Sequence, residues 1–253
     1  MSFCAVLFPQ MKPNPMKRTC LFILLTCILI SCSGIKSITV KEGYFPVLGT
    51  IGKEQGGILK TKFESIGHPS FSTPIALSIQ TIPFDKNTFK KYQNVRESSG
   101  FKSTVNYVDS LESKPNFVQL SISDKVGLKK ALNEEINKEV RNYLEKDLDS
   151  KLVSTIAMVP DEKTANELNR ADGLFLTNGV HGSLQILAVN GDKRNYIHIP
   201  KDQLFDYSLM GICWGEDIYG NPMIATFNEN GKCPAGTEKD PKKLKKEQSY
   251  LKL

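Results

Sequence analysis

The chain has 253 residues, of which 40% are hydrophobic and 24% charged, with a formal net charge of +6. This length gives room for one domain or two small ones, and the composition is that of a globular protein, not of a disordered or fibrous chain. The excess positive charge lies at the two ends: residues 32–237 carry 24 basic and 24 acidic residues. Residues 32–237 therefore lack the excess of positive charge that is typical of nucleic-acid-binding domains.

The first 31 residues have the layout of an export signal. Met16, Lys17 and Arg18 form a short basic stretch, and an apolar run follows at residues 21–30. A helix that crosses the hydrocarbon core needs about 20 apolar residues, so this run is too short for a permanent span. A start at Met11 or Met16 would give a leader of more ordinary length, with residues 1–10 upstream of the true start.

Residues 29–32, with the sequence LISC, resemble the lipobox of bacterial lipoproteins. In that motif an aliphatic, a permissive and a small residue precede the cysteine that receives lipid. The resemblance implies cleavage before Cys32, a diacylglyceryl group on its thiol and a third acyl chain on its freed amine. Two or three chains make membrane attachment lasting. The resemblance covers the leader only, and the alternative is an ordinary signal peptide cut after Ser31 or Ser33.

This leader sets the expected organisation of the chain and its location. The predicted segments are a signal peptide (1–31), a lipid tether and Gly-rich spacer (32–73), an α+β domain (74–237) and a Lys-rich tail (238–253). The tail is interpreted as a solvated, frayed terminus, with a weak patch for anionic lipid as the alternative. Nothing acidic follows Cys32 closely, which favours the periplasmic face of the outer membrane.

Two cysteines remain once the leader is removed and Cys32 carries lipid: Cys213 and Cys233. In an oxidising periplasm this pair predicts a disulfide, and closing a loop of this length is worth roughly 3 kcal/mol in the loop-entropy model. The alternative, Cys213 as a reactive thiol, needs a neighbouring histidine that the local sequence does not supply.

The first half of the predicted domain contains strand and turn patterns. The glycines within residues 49–57 predict turns, and the alternation within residues 75–82 predicts a half-buried strand. A short helix is expected at residues 85–93. The segments at 101–108 and 116–122 then predict two strands of an antiparallel hairpin.

The strongest single pattern lies between residues 124 and 148. Apolar residues recur there at every fourth position: Leu128, Leu132, Ile136, Val140, Leu144 and Leu148. Polar and charged residues fill the other positions, which predicts one long amphipathic helix packed on the sheet.

The rest of the domain is predicted to be rich in strands. A shorter helix is expected at residues 161–170. The predicted strands are 151–159, 173–177, 183–189, 195–199 and a final hairpin of 209–214 with 222–227. Strands grouped around one long helix, without regular βα alternation, predict an α+β fold with a largely antiparallel sheet.

The sequence contains no recognised reaction signature. His68, His181 and His198 are scattered, and none has a histidine or cysteine at metal-ligand spacing, so we predict no metal, cofactor or catalytic residue. His198 lies between two isoleucines of a strand and is expected on the solvent face. A serine at a G-x-S-x-G elbow is also missing.

One group of side chains is a candidate for ligand binding: Trp214, Glu216, Asp217 and Tyr219. Acids beside aromatic side chains line some carbohydrate sites, although a hairpin turn at this place would expose acids in any case. We therefore expect a lipid-anchored, non-enzymatic module that binds an envelope protein or polymer. The alternative is a lipid-anchored hydrolase or carbohydrate-acting enzyme whose site assembles from distant residues.

Overall fold

The computed structural model describes residues 45–57, 60–110, 112–179 and 182–248. The export segment, the lipobox with Cys32, the first part of the predicted spacer and His181 lie outside these residues.

A ten-stranded sheet is the centre of the fold. Its strands are β1 (Ile51–Gly57), β2 (Lys60–Gly67), β3 (Ile75–Pro83), β4 (Asn116–Ile122), β5 (Lys151–Met158), β6 (Gly173–Asn178), β7 (Leu184–Asn190), β8 (Lys193–Ile197), β9 (Leu204–Glu216) and β10 (Pro222–Asn228). Eight strands lie in the order β10-β9-β5-β4-β3-β6-β7-β8, and the β1–β2 hairpin joins them through β5. The described pairings are all antiparallel, which confirms a mixed fold with a large antiparallel sheet.

Short helices accompany this sheet. They are α1 (Lys86–Ser98), α2 (Lys125–Asn133), α3 (Lys138–Lys146), α4 (Glu162–Asn169) and α5 (Pro241–Gln248). Asp85, Asp124 and Asp161 begin α1, α2 and α4, because each carboxylate accepts a hydrogen bond from a backbone N–H of the first turn. Within the described ranges, the helices fall short of the length and apolar content that a membrane span requires.

Neighbouring residues of the central strands belong to two different cores. Phe117 packs in a cluster with Phe84, Tyr92 and Phe205, which we call the aromatic core. Val118 packs in a larger, mostly aliphatic cluster, the main core. Successive side chains of a strand point to opposite faces, so the two cores lie on opposite faces of the sheet. Helix α1 covers the aromatic core, whereas α2 and α3 contribute to the main core.

The prediction of one long helix over residues 124–148 is wrong. The segment forms α2 and α3, which are separated by a 3-10 turn at Glu135–Asn137, and Glu134 is extended with φ −67° and ψ 154°. The reason lies in the spacing. Four residues advance about 400° around a helix, so a pattern that repeats every four residues drifts by about 40° per step. A straight helix of this length could not keep the whole pattern on one face.

The break between α2 and α3 allows some of the apolar residues of the four-residue pattern to be buried. Leu128, Leu132 and Leu144 are buried to 2% exposure or less, whereas Ile136 at the break is 62% exposed. Two shorter helices can each direct their own leucines into the main core, which a single straight helix cannot do.

Asn137 connects the break between α2 and α3 to another segment of the fold by hydrogen bonds. Its side chain is only 1% exposed, and its Oδ1 accepts a hydrogen bond from the backbone N–H of Ser70 at 2.8 Å. Its Nδ2 donates to the carbonyl oxygens of Ser70 at 2.7 Å and Ala131 at 2.8 Å. The amide therefore joins the end of α2 to the segment before β3.

Residues 51–57 form a strand and not the predicted turns. Gly52 of β1 lets the strand lie close to Phe63 and Glu64 of β2. A side chain at this position would meet the ring of Phe63 and the carbonyl oxygen of Glu64. Leu48, Phe63 and Phe71 pack in the main core. These three residues belong to the predicted spacer, so its described part from residue 45 onward contributes to the folded core.

Two further segments differ from expectation. Residues 101–108 form no strand, and Val105 and Tyr107 pack instead against the aromatic core. The partners of β4 are β3 and β5, so the predicted hairpin is wrong. The pattern of alternating side chains in this segment reflects packing against one face of the sheet without strand pairing.

The beginning of the Lys-rich tail is bound to the domain. Trp214 and Glu238 exchange backbone hydrogen bonds of 2.7 and 2.9 Å, and Leu244 of α5 packs against the main core. The interpretation as a frayed terminus is therefore wrong for residues 238–248, and residues 249–253 lie outside the described part of the chain.

Substitution Asn137→Ala is expected to lower the free energy of unfolding by about 3 kcal/mol, because the buried backbone groups of Ser70 and Ala131 lose their partners. Urea unfolding followed by circular dichroism measures this change. Asn87→Ala, at an exposed position of α1, is the matched control and should stay within about 0.5 kcal/mol of the wild type. Equal losses in the two variants would contradict the role given to Asn137.

Candidate functional site

The structure separates Trp214 from the other members of the predicted ligand-binding group. Trp214 is 1% exposed and packs in the main core, because it lies on the inward face of β9 with Ile212. It also borders a small cavity of about 170 Å³ that Asp147 and Lys151 help to line. Its indole is therefore not available beside Tyr219 at the surface, and the four residues do not form one site.

Asp217 and Tyr219 lie in the turn between β9 and β10, which Asp217 organises. One carboxylate oxygen accepts hydrogen bonds from the backbone N–H groups of Tyr219 and Asn221, each at 2.8 Å. The other accepts from the side-chain amide of Asn221 at 3.1 Å. Gly220 supplies the left-handed backbone, with φ +79°, and its N–H donates to the carbonyl oxygen of Asp217 at 3.0 Å.

This organised turn presents two large apolar side chains to solvent. Ile218 is 90% exposed and Tyr219 is 82% exposed, and we call this pair the hairpin tip. Because hydrogen bonds already fix the backbone of the turn, a partner would not have to order it on binding. Aromatic side chains on such pre-organised elements are common anchors of protein interfaces.

The hydrogen bonds of the turn also set the protonation state of Asp217. Bonds from the backbone and then the side chain of Asn221 favour the carboxylate and lower the pKa of Asp217 below its ordinary value of 3.8. The carboxylate of Asp217 is therefore ionised at neutral pH, and both of its oxygens accept hydrogen bonds within the turn. This arrangement does not suit a general acid for glycoside hydrolysis, which needs a raised pKa.

A disulfide joins Cys213 of β9 to Cys233, which is 20 positions later in the sequence, and the two Cα atoms are 5.6 Å apart. The closed loop contains the hairpin tip and all of β10. Cys213 is fully buried, and the side-chain amide of Asn228 donates to its sulfur at 3.0 Å. The disulfide thus ties the base of the hairpin to the segment that follows it.

A second feature, which the sequence analysis missed, is a cavity of about 300 Å³ on the main-core side of the sheet. We call it the apolar cavity. Six of its wall residues are aliphatic and less than 7% exposed: Leu48, Ile156, Leu176, Ile186, Ile197 and Leu204. These side chains come from six separate segments of the chain. Alternation within the strands identified several of them as inward-facing, but no local pattern indicates that they surround a space.

The two described histidines, His68 and His198, lie in different parts of the domain. His198 is exposed, as predicted, but it lies at the rim of the apolar cavity with Tyr196 and Lys201. His68 is exposed near Gly182. Among the described residues, no three His, Cys, Asp or Glu side chains are grouped so that they could hold a metal ion.

Comparisons with protein-family models, with curated proteins and with solved structures found no match to this chain.

The lowered pKa of Asp217 predicts a specific pH dependence of stability. The hydrogen bonds to the Asp217 carboxylate stabilise the fold fully above the unfolded-state pKa, near the ordinary value of 3.8, and this contribution is lost as pH falls through the lower folded-state pKa. Urea unfolding from pH 2 to 7 should show that the wild type exceeds Asp217→Glu in stability at neutral pH and that the difference shrinks under acid. The glutamate variant keeps the charge but cannot keep the geometry. A difference that does not change with pH would contradict this account.

Proposed function

We propose that this protein is a bacterial envelope lipoprotein, held by lipid on Cys32 at the periplasmic face of the outer membrane. The observation that carries the proposal is the order of three features within residues 16–32: a basic stretch, a short apolar run and a lipobox-like cysteine site. The disulfide between Cys213 and Cys233 supports an oxidising compartment.

We further propose that the folded domain binds a protein or polymer of the envelope and does not catalyse a reaction. The hairpin tip supports this, because it offers exposed apolar surface on a turn that is already ordered. The acids of the candidate carbohydrate group, Glu216 and Asp217, do not favour the alternative enzyme, because the carboxylate of Asp217 is engaged by the turn itself. His198 is exposed at the rim of a cavity with aliphatic walls, which suits binding more than acid–base chemistry.

The lipid anchor is tested by metabolic labelling with radioactive palmitate. Cys32→Ala should abolish labelling, because the thiol and the new amino terminus that receive the acyl chains are both lost. Cys27→Ala is the matched control, since that cysteine lies in the apolar run and should be removed with the leader. Intact mass of the membrane-extracted protein should show a lipid-modified Cys32 as the first residue. Persistent labelling of Cys32→Ala would overturn the anchor.

Binding through the hairpin tip is tested by placing a photo-crosslinking amino acid at position 219 in intact cells. An adduct with an envelope protein or polymer is expected at this position, and Ile218→Ser should reduce its yield because the neighbouring anchor is lost. Position 126 is the control, since Val126 is also largely exposed, at 74%, but lies on α2 away from the turn. Equal yields at the two positions, or none at 219, would contradict a role for the tip.

A further inference from the structure

The sequence contains three Asn-Gly pairs, at residues 178–179, 190–191 and 230–231. This dipeptide favours spontaneous deamidation, because glycine has no side chain to hinder attack of its backbone nitrogen on the asparagine amide. The attack requires that the asparagine side chain and the glycine N–H are free and that the backbone between them can rotate. The three pairs share this chemistry, so their surroundings in the fold decide which of them reacts.

The first pair is held by hydrogen bonds on both of its residues. Asn178 ends β6, and its side chain accepts from the backbone N–H of Phe71 at 3.0 Å and donates to the carbonyl oxygen of Phe71 at 3.1 Å. The N–H of Gly179 donates to the carbonyl oxygen of Ser183 at 2.5 Å. Pairing of Asn178 with Leu184 also restrains the backbone. The reacting groups of this pair are therefore all engaged.

The second pair is held in the same way, although it lies at the surface. Asn190 is exposed, yet its side-chain amide donates to the carbonyl oxygen of Arg170 at 2.6 Å. The N–H of Gly191 donates to the carboxylate of Asp172 at 2.8 Å. Asn190 also pairs with Lys193 in the hairpin of β7 and β8. Exposure to water therefore does not free this pair to react.

The third pair differs from the other two in each of these respects. Asn230 and Gly231 are both exposed and lie beyond Asn228, the last residue of β10. Within the described ranges, neither the Asn230 side chain nor the Gly231 N–H makes a hydrogen bond, and neither residue is paired in the sheet. This pair alone combines a free amide, a free N–H and a backbone outside strand pairing.

We propose that Asn230 is a site of spontaneous deamidation in the folded protein. The Gly231 nitrogen loses its proton and attacks Cγ of Asn230, which closes a succinimide ring as the bond from Cγ to Nδ2 breaks and ammonia leaves. Water then opens the ring at either carbonyl carbon and yields aspartate or isoaspartate. No oxidant, metal or enzyme is needed, and the proposal does not depend on the proposed function.

The product changes both charge and chain length near the disulfide. A new carboxylate appears next to Glu229, whose own carboxylate forms an ion pair of 2.6 Å with Lys125. Each isoaspartate adds one methylene to the main chain between β10 and Cys233. The modified protein is therefore more acidic, and it carries the change within the loop that the disulfide closes.

The first test incubates the exported protein, purified with its disulfide intact, for several weeks at mildly alkaline pH. Peptide mapping by mass spectrometry gives the deamidation rate at each Asn-Gly pair. A hydrogen bond that must break slows such a reaction by roughly fivefold, so Asn230 should react at least about tenfold faster than Asn178 or Asn190. The same protein, reduced and held in urea, should deamidate at similar rates at the three positions.

Two results of this test would overturn the proposal. One is a rate at Asn230 in the folded protein that does not exceed the rates at the other two asparagines. The other is a preference for Asn230 that persists unchanged in urea, because local sequence and not the fold would then be its cause.

Ion-exchange chromatography of variants tests the site independently. Asn230→Gln should remove the acidic species that accumulates in the wild type, since glutamine would have to close a larger ring. Gln is chosen because Gly231 has φ +74°, where another side chain would be strained. Asn195→Gln is the matched control, since Asn195 is also exposed but is followed by Tyr196. An acidic species that persists in Asn230→Gln would assign the modification elsewhere and overturn the proposal.

The protection of the second pair provides a test in the opposite direction. Asp172→Ala removes the acceptor of the Gly191 N–H and should raise the rate at Asn190 by roughly fivefold. The rates at Asn178 and Asn230 should stay unchanged, which excludes a general loosening of the fold. No increase at Asn190 would contradict the idea that hydrogen bonds select the reactive pair.

Discussion

Strand β9 pairs with β5 through its first half and with β10 through its second half. Its thirteen residues place neighbouring side chains in opposite cores, with Leu204 in the main core and Phe205 in the aromatic core. The burial of both faces of β9 and β5 is the constraint on which the rest of the fold depends. It requires α1 on one face and α2 and α3 on the other. It also fixes Trp214 in the interior, where exchanged backbone bonds with Glu238 bring the tail onto the domain.

The same strand connects the apolar cavity with the hairpin tip, the surface to which we assign binding. Its first residue, Leu204, lines the apolar cavity, and its last residue, Glu216, adjoins the turn that carries the hairpin tip. Thirteen residues of strand extend about 40 Å, so the cavity and the tip lie far apart along it. Val47 and Leu48 line the cavity near the first described residues, whereas the tip projects from the other end of β9.

The agreement between sequence pattern and structure depended on whether a pattern was local. Strands β3, β5, β7 and β10 and helix α4 were predicted correctly, because alternation, caps and turn residues act within a few positions. The long helix failed because its four-residue spacing does not match 3.6 residues per turn, and Asn137 secures the break through Ser70, far away in sequence. Gly52 was misread as a turn residue, since its contact with Phe63 exists only in the folded hairpin. In the candidate site, the turn that carries Tyr219 was predicted from the local sequence, whereas the burial of Trp214 depended on the long-range pairing of β9.

The proposal of export and lipid attachment depends on the amino-acid sequence alone, because signals of this kind are short linear segments such as the one around Cys32. It also determined the class of fold and the pairing of the only two cysteines expected to remain after processing, since hydrophobic periodicity and residue counts need no three-dimensional information. Only the tertiary structure decided which apolar residues close the core and which surround a space. Leu48, Ile156 and Ile197 are separated by long stretches of chain and become walls of one cavity solely through strand pairing and packing. Hydrophobic burial is non-directional, so a sequence records that such side chains avoid water but not the neighbours with which they do so.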